Sequence, residues 1–326
     1  MNRDLSLDGE HSHWRKAVAA LERLGVWGVL VLLIAVASAL SPYFFSINNF
    51  LNILNQSSVV GITAVGVTLV MITGGVDLSV GSIISLSADI CATVMNGNDG
   101  RIIPAIVLSV GAGAAIGFIN GVLVAKRNLP SFILTLGTAA AVQGLGLLYT
   151  GGTASGAIAP WFQNMVGGRP WGHIPGVVPV FVAVAFAGLL IQETTSLGSR
   201  LYLVGSNVRA AYLSGIPVDR VLILAYTLSG AAAGIAGVVL LARVGVSSAF
   251  AGQTYTFDAL AAVLLGGTTF QGGRGGIVGT LAGVLILVVA FNLVNILGLN
   301  FNLQLVVKGI IIIGAATLYR LLNRAT

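Results

Sequence analysis

Between residues 102 and 125 (IIPAIVLSVGAGAAIGFINGVLVA) the chain carries no charged side chain, and the same holds for 221–242 and 275–307. An apolar stretch of about 18 residues or more is long enough to cross the roughly 30 Å hydrocarbon core of a bilayer as a helix. Several such stretches in one chain specify an all-α polytopic membrane protein. Composition agrees, with 8% charged and 56% hydrophobic residues, where soluble domains average about 25% charged. The formal net charge of +6 does not point to nucleic acid, because the basic residues fall in short segments between apolar runs rather than on one solvated face. The single cysteine, Cys91, lies within an apolar run and reads as a small buried hydrophobe.

Hydropathy predicts about ten transmembrane helices, at roughly 25–44, 52–73, 76–96, 102–125, 129–150, 177–193, 218–242, 257–270, 276–299 and 301–319. The sixth and eighth are short, and the eighth suits a re-entrant hairpin as well as a span. Lys and Arg favour the cytoplasmic side. With the N-terminus inside, the inner segments hold Arg3, Arg15, Lys16, Arg23, Lys126, Arg127, Arg200, Arg209, Arg220, Arg274, Arg320 and Arg324, and the outer ones only Arg101, Arg169 and Arg243. Both termini are therefore expected in the cytoplasm. The chain divides into a cytoplasmic segment 1–24, a transmembrane domain 25–320 and a tail 321–326. Residues 13–24 place Trp14, Ala17, Val18, Leu21 and Leu24 on one helical face, a pattern that suits a helix lying in the membrane interface.

Forty-four glycines would weaken soluble helices, each by about 1 kcal/mol relative to alanine. In lipid they let backbones approach closely. Gly113, Gly117 and Gly121 stand four apart, as do Gly275, Gly279 and Gly283, with Gly230 and Gly234 forming one further step. These ladders predict tightly packed helices. Polar residues within spans avoid lipid and face the bundle interior or a water path. Asp89 and Lys308 fall at equal depth in the third and tenth spans, which permits an ion pair.

Two glycine-rich breaks interrupt spans, at 73–81 (TGGVDLSVG) and 265–276 (LGGTTFQGGRGG). Irregular backbone at membrane depth must be buried in protein or touch water. The inner loop 194–217 contains a short helix with clear punctuation. Asn207 is a good N-cap, Gly215 suits the left-handed residue after the last turn, and Pro217 bars extension. Such a helix, showing Val208, Ala211 and Tyr212, is suited to docking on another protein. No phosphate-binding loop is present; GTTFQGGR (267–274) lacks its lysine and hydroxyl. No metal-ligand cluster and no Ser/His/Asp set is apparent, so no catalytic residue and no metal site is assigned.

At these motifs the chain resembles the membrane permeases of ATP-binding-cassette importers for simple sugars, the ribose-permease type. The segments that carry the resemblance are TGGVDLSVGS (73–82), Asn120-Gly121, PSFILTLGT (130–138), LYTGG (148–152), VGSNVRAAYLSGI (204–216), FDALAAVLLGGTTFQGGRGGIVGTLAG (257–283), and Gln304 with Lys308-Gly309. Ser206 departs from the family, where glycine is common. The resemblance implies a pore-forming subunit of the bacterial inner membrane that binds no cofactor itself. ATP and Mg would be used by a cytoplasmic ABC ATPase, a periplasmic sugar-binding protein would deliver substrate, and a second permease subunit, identical or different, would complete the pore. It places ATPase coupling at Gly205, Asn207, Ala210, Ala211, Tyr212, Ser214 and Gly215. The expected substrate path holds Asp77, Ser79, Asn120, Phe132, Asn292 and Asn295. A branched-chain amino-acid importer permease and a secondary transporter are the alternatives.

Overall fold

The structure, a computed structural model, describes residues 25–170 and 172–298 together with residues 303, 306, 309 and 310. The expected interfacial helix, both termini, Lys308 and most of the tenth span lie outside the described residues. Among the described residues the regular elements are helical. In chain order they are α1 (Gly25–Leu40), α2 (Ile47–Ile72), α3 (Val80–Met95), α4 (Ile102–Arg127), α5 (Ser131–Thr150), a single turn α6 (Pro160–Phe162) running into a π-helical turn, α7 (Val177–Thr194), α8 (Ser196–Ser206), α9 (Val208–Leu213), α10 (Val218–Val244), α11 (Gln253–Leu265) and α12 (Ile277–Ile296).

Among the described residues six helices are long and apolar enough to cross a membrane: α2, α4 with the turn before it, α5, α7, α10 and α12. They coincide with the second, fourth, fifth, sixth, seventh and ninth expected spans. The first and third expected spans are shorter helices, α1 and α3. The eighth expected span, 257–270, which suited a re-entrant hairpin as well, is likewise a shorter helix, α11. Helix α11 has 13 residues, about 20 Å at 1.5 Å per residue, which is short of the hydrocarbon core. Its end at Gly266–Gly267 is set by Gly267, whose φ of +87° is a left-handed conformation that a side chain disfavours.

Helix α10 is the axis of the bundle and packs against α4, α2 and α3. The glycine ladders explain how. A Cβ on Gly117 would lie 2.2 Å from the Tyr226 carbonyl oxygen, and one on Gly230 would lie 2.2 Å from that of Gly113. The two ladders therefore face each other with backbone touching backbone. On the other side α12 meets α11 in the same manner, with Gly279 against Gly266 and Gly283 against Ala262. Since lipid tails are as apolar as leucine, close van der Waals contact of this kind is what holds such helices together. Helix α5 differs: most of its surface is exposed, and it leans mainly on α3.

Candidate translocation core and coupling surface

The first break separates α2 from α3 at one end of the bundle. The helix ends at Ile72 because Gly74 turns the chain with φ +81°. The non-helical residues that follow, up to Ser79, are mostly buried. Their backbone groups are deprived of both helix and water, and neighbouring side chains satisfy them. The Val76 N–H donates to Ser131 Oγ at 3.1 Å, and the Leu78 N–H donates to Thr135 Oγ1 at 3.0 Å. The Tyr226 hydroxyl donates to the Val76 carbonyl at 3.3 Å. Gly75 makes room for that ring, since a Cβ there would sit 2.5 Å from the Tyr226 oxygen.

Asp77 lies at the centre and is fully buried. Its Oδ1 accepts from both the N–H and the hydroxyl of Ser79, at 3.0 and 2.6 Å, and its Oδ2 accepts from the Ser229 hydroxyl at 2.8 Å. The Asn120 amide donates to Ser79 Oγ at 3.0 Å, and the Thr138 hydroxyl donates to Asn120 Oδ1 at 2.7 Å. Donors thus line up from α5 through α4 to the carboxylate. Hydrogen bonds to the charged form offset the desolvation of a buried carboxylate.

The expected path residues divide. Asp77, Ser79 and Asn120 come together in this network, but all three are fully buried. They brace the break and do not line an open surface. Phe132 points away from the network and is exposed on α5. Asn292 is buried in α12, where its amide donates to Asn49 Oδ1 at 2.7 Å, away from Asp77. Asn295, at the end of α12, is exposed. Asp89 is fully buried in α3, close to Gly146 of α5 and with the Ser247 hydroxyl nearby; its expected partner, Lys308, lies outside the described residues. Ser131, Thr135, Thr138, Ser229 and Tyr226 were not among the expected path residues. A signal for the first three was present, since their spacing of four and three residues puts them on one face of a helix.

The second break meets the first. The Gly273 N–H donates to the Ile72 carbonyl at 2.8 Å, so the loop before α12 ties off the end of α2. Helix α8 closes the same junction. A Cβ on Gly205 would lie 1.9 Å from the Ile72 oxygen and 2.5 Å from the Gly273 nitrogen. Ser206 packs directly against Gly273, and the Tyr202 hydroxyl donates to the Gly275 carbonyl at 2.8 Å. Burial, with the Glu193 carboxylate nearby, holds the Tyr202 pKa above its ordinary value.

From this junction hangs α9. Asn207 caps it as expected, its Oδ1 accepting from the Ala210 N–H at 2.9 Å, an arrangement worth about 1 kcal/mol. Gly215 ends the turn with φ +78°. Ala210, Ser214 and Gly215 are exposed. The expectation that α9 displays Ala211 is corrected. Ala211 is only 4% exposed and packs into the core, whereas Val208, Tyr212 and Leu213 are 53%, 72% and 77% exposed. The exposed face of α9 is thus an apolar knob on a capped helix. Among the described residues no three of His, Cys, Asp and Glu come together.

Comparison with known proteins supplies a family and relatives. Residues 49–316 match a family described as "Branched-chain amino acid transport system / permease component". The chain is 41% identical over 291 residues to the ribose import permease protein RbsC of Escherichia coli, covering 87% of this chain and 89% of that protein. It is 41% identical over 304 residues to RbsC of Bacillus subtilis, covering 92% and 93%. It is 36% identical over 306 residues to the D-allose transport system permease protein AlsC of Escherichia coli, covering 93% of each. No solved structure matches the chain.

Proposed function

The chain belongs to the branched-chain amino acid transport system / permease component family, in its simple-sugar importer branch, and from that premise we propose that it is the pore-forming subunit of an ATP-driven importer for a pentose, hexose or polyol. It is a multi-pass membrane protein. In this reading it sits in the bacterial inner membrane with ten spans and both termini in the cytoplasm. A cytoplasmic ABC ATPase grips α9, a periplasmic binding protein presents the sugar, and a second permease subunit completes the pore. ATP and Mg belong to the ATPase.

The observation that carries the reading is α9: a capped helix with an exposed apolar knob, fastened through Gly205 and Tyr202 to the junction of both breaks. Force applied at Tyr212 reaches the ends of α2 and α12 without a flexible linker between. Alternating access follows if that junction moves the helices around the buried Asp77 network. The sugar class is supported by relatives whose names specify ribose and allose, at 36–41% identity over about nine-tenths of both chains.

The test uses the complex. Purification of the chain from its native membrane is expected to bring an ABC ATPase with it. Tyr212→Asp places a charge on the exposed knob and leaves the buried Ala211 side untouched. It is expected to lower substrate-stimulated ATP hydrolysis at least tenfold while the permease still inserts and purifies. Undiminished stimulation would remove α9 from the coupling role. The family description also names branched-chain amino acids, and competition of uptake by leucine rather than by ribose or allose would favour that substrate class.

A further inference from the structure

Among the six candidate spans, α5 is the least buried. Most of its apolar side chains, Phe132, Ile133, Leu136, Leu145 and Leu148 among them, face outward. Its attachment near Asp77 is instead a line of hydroxyls. Ser131, Thr135 and Thr138 meet, in order, the Val76 N–H, the Leu78 N–H and the Asn120 amide oxygen. The pitches agree: four helical residues rise about 6 Å, and two residues of an unwound chain span up to about 7 Å. One face of a helix can therefore serve alternate N–H groups of a non-helical segment.

The Thr135 hydroxyl has a choice. Its single proton lies between two carbonyls, that of Ser131 on its own helix at 2.8 Å and that of Val76 at 3.3 Å. Donation to Val76 adds a second tie to the break beside the bond from the Leu78 N–H, and donation to Ser131 gives up that second tie without leaving the hydroxyl unsatisfied. Ser131 and Thr138 are likewise short side chains whose bonds are remade by rotation about χ1. A helix held by such bonds can shift along the segment and find equivalent partners, which a helix held by interlocked apolar side chains cannot.

We propose that Ser131, Thr135 and Thr138 are positioning residues, a hydroxyl ladder that sets the register of α5 on residues 76–78 and on Asn120 of α4, and that the transport cycle breaks and remakes it. The second half of this inference rests on the importer reading above, and the first half does not.

The test is hydrogen–deuterium exchange of the peptide covering residues 74–80, measured on the chain in nanodiscs with its ATPase. Thr135→Val keeps the side chain's shape and removes the hydroxyl. It is expected to speed exchange of that peptide about tenfold, with Thr135→Ser restoring the wild-type rate. Equal rates in wild type and Thr135→Val, or a serine variant as fast as the valine variant, would overturn the ladder. Wild-type exchange in the same peptide is expected to rise during ATP turnover, and an unchanged rate would overturn its part in the cycle even if every variant failed to fold. If the wild-type complex accumulates no sugar, the importer reading fails, while the comparison of valine with serine at rest still judges the ladder.

Discussion

Asp77 is a fully buried carboxylate in a chain with ten acidic residues, and it is held by three donors from Ser79 and Ser229. Removing one donor from a buried, charge-assisted hydrogen bond costs about 1–3 kcal/mol. Ser229→Ala is therefore expected to lower the thermal stability of the purified permease in detergent by several degrees. Ser214→Ala, at an exposed position in the loop, is expected to leave it unchanged. Equal melting temperatures for the two variants would mean that the Asp77 network does not brace the break. At this scale the sequence was partly legible. Asn207 and Gly215 were readable because a cap is a local interaction, spanning residues that are neighbours in the chain. The direction of Ala211 was not, since a helix of six residues has too few positions to define a face by periodicity. Phe132 is expected on the substrate path, but the residues that turn inward there are Ser131 and Thr135. Their partners, Val76 and Leu78, are more than fifty residues away, and no local pattern announces them.

Between helices, the glycines decide what can touch. Gly113, Gly117 and Gly121 were legible as one contact surface because four-residue spacing returns to the same side of a helix, and the facing surface on α10 shows the same step. Gly117→Val would force a side chain into the Tyr226 carbonyl, so α4 and α10 must separate and their contact along the whole ladder is lost. We expect this variant to melt far below wild type, or to be recovered only in aggregated form. Gly137→Ala, on open α5 surface with nothing within 4 Å of the added carbon, is the control and is expected to behave as wild type. A stable Gly117→Val protein would show that α4 and α10 do not approach as described. Hydropathy was a poorer guide to α11. An apolar run followed by Gly266-Gly267 reads equally as a span or a half-span, and the helix found there is 13 residues long and packs among α12, α2 and α3.

Across the whole molecule, the unequal distribution of Lys and Arg predicts an orientation, and the ends of α2 and α8, the start of α12 and helix α9 lie together at one end of the bundle. That end is expected to face the cytoplasm. In a Cys91→Ser background, a cysteine at Ser214 should react with a membrane-impermeant maleimide only in inside-out vesicles, and one at Asn98 only in right-side-out vesicles. Reaction of both from the same side would overturn the orientation and the ten-span topology with it. In the proposed reading this polypeptide carries no engine and moves substrate only when a separate ATPase pulls on α9. The most direct measurement is uptake into proteoliposomes containing the permease alone or together with its ATPase and binding protein, each with ATP supplied. Accumulation against a gradient is predicted only for the complete assembly, and accumulation by the permease alone would contradict the account.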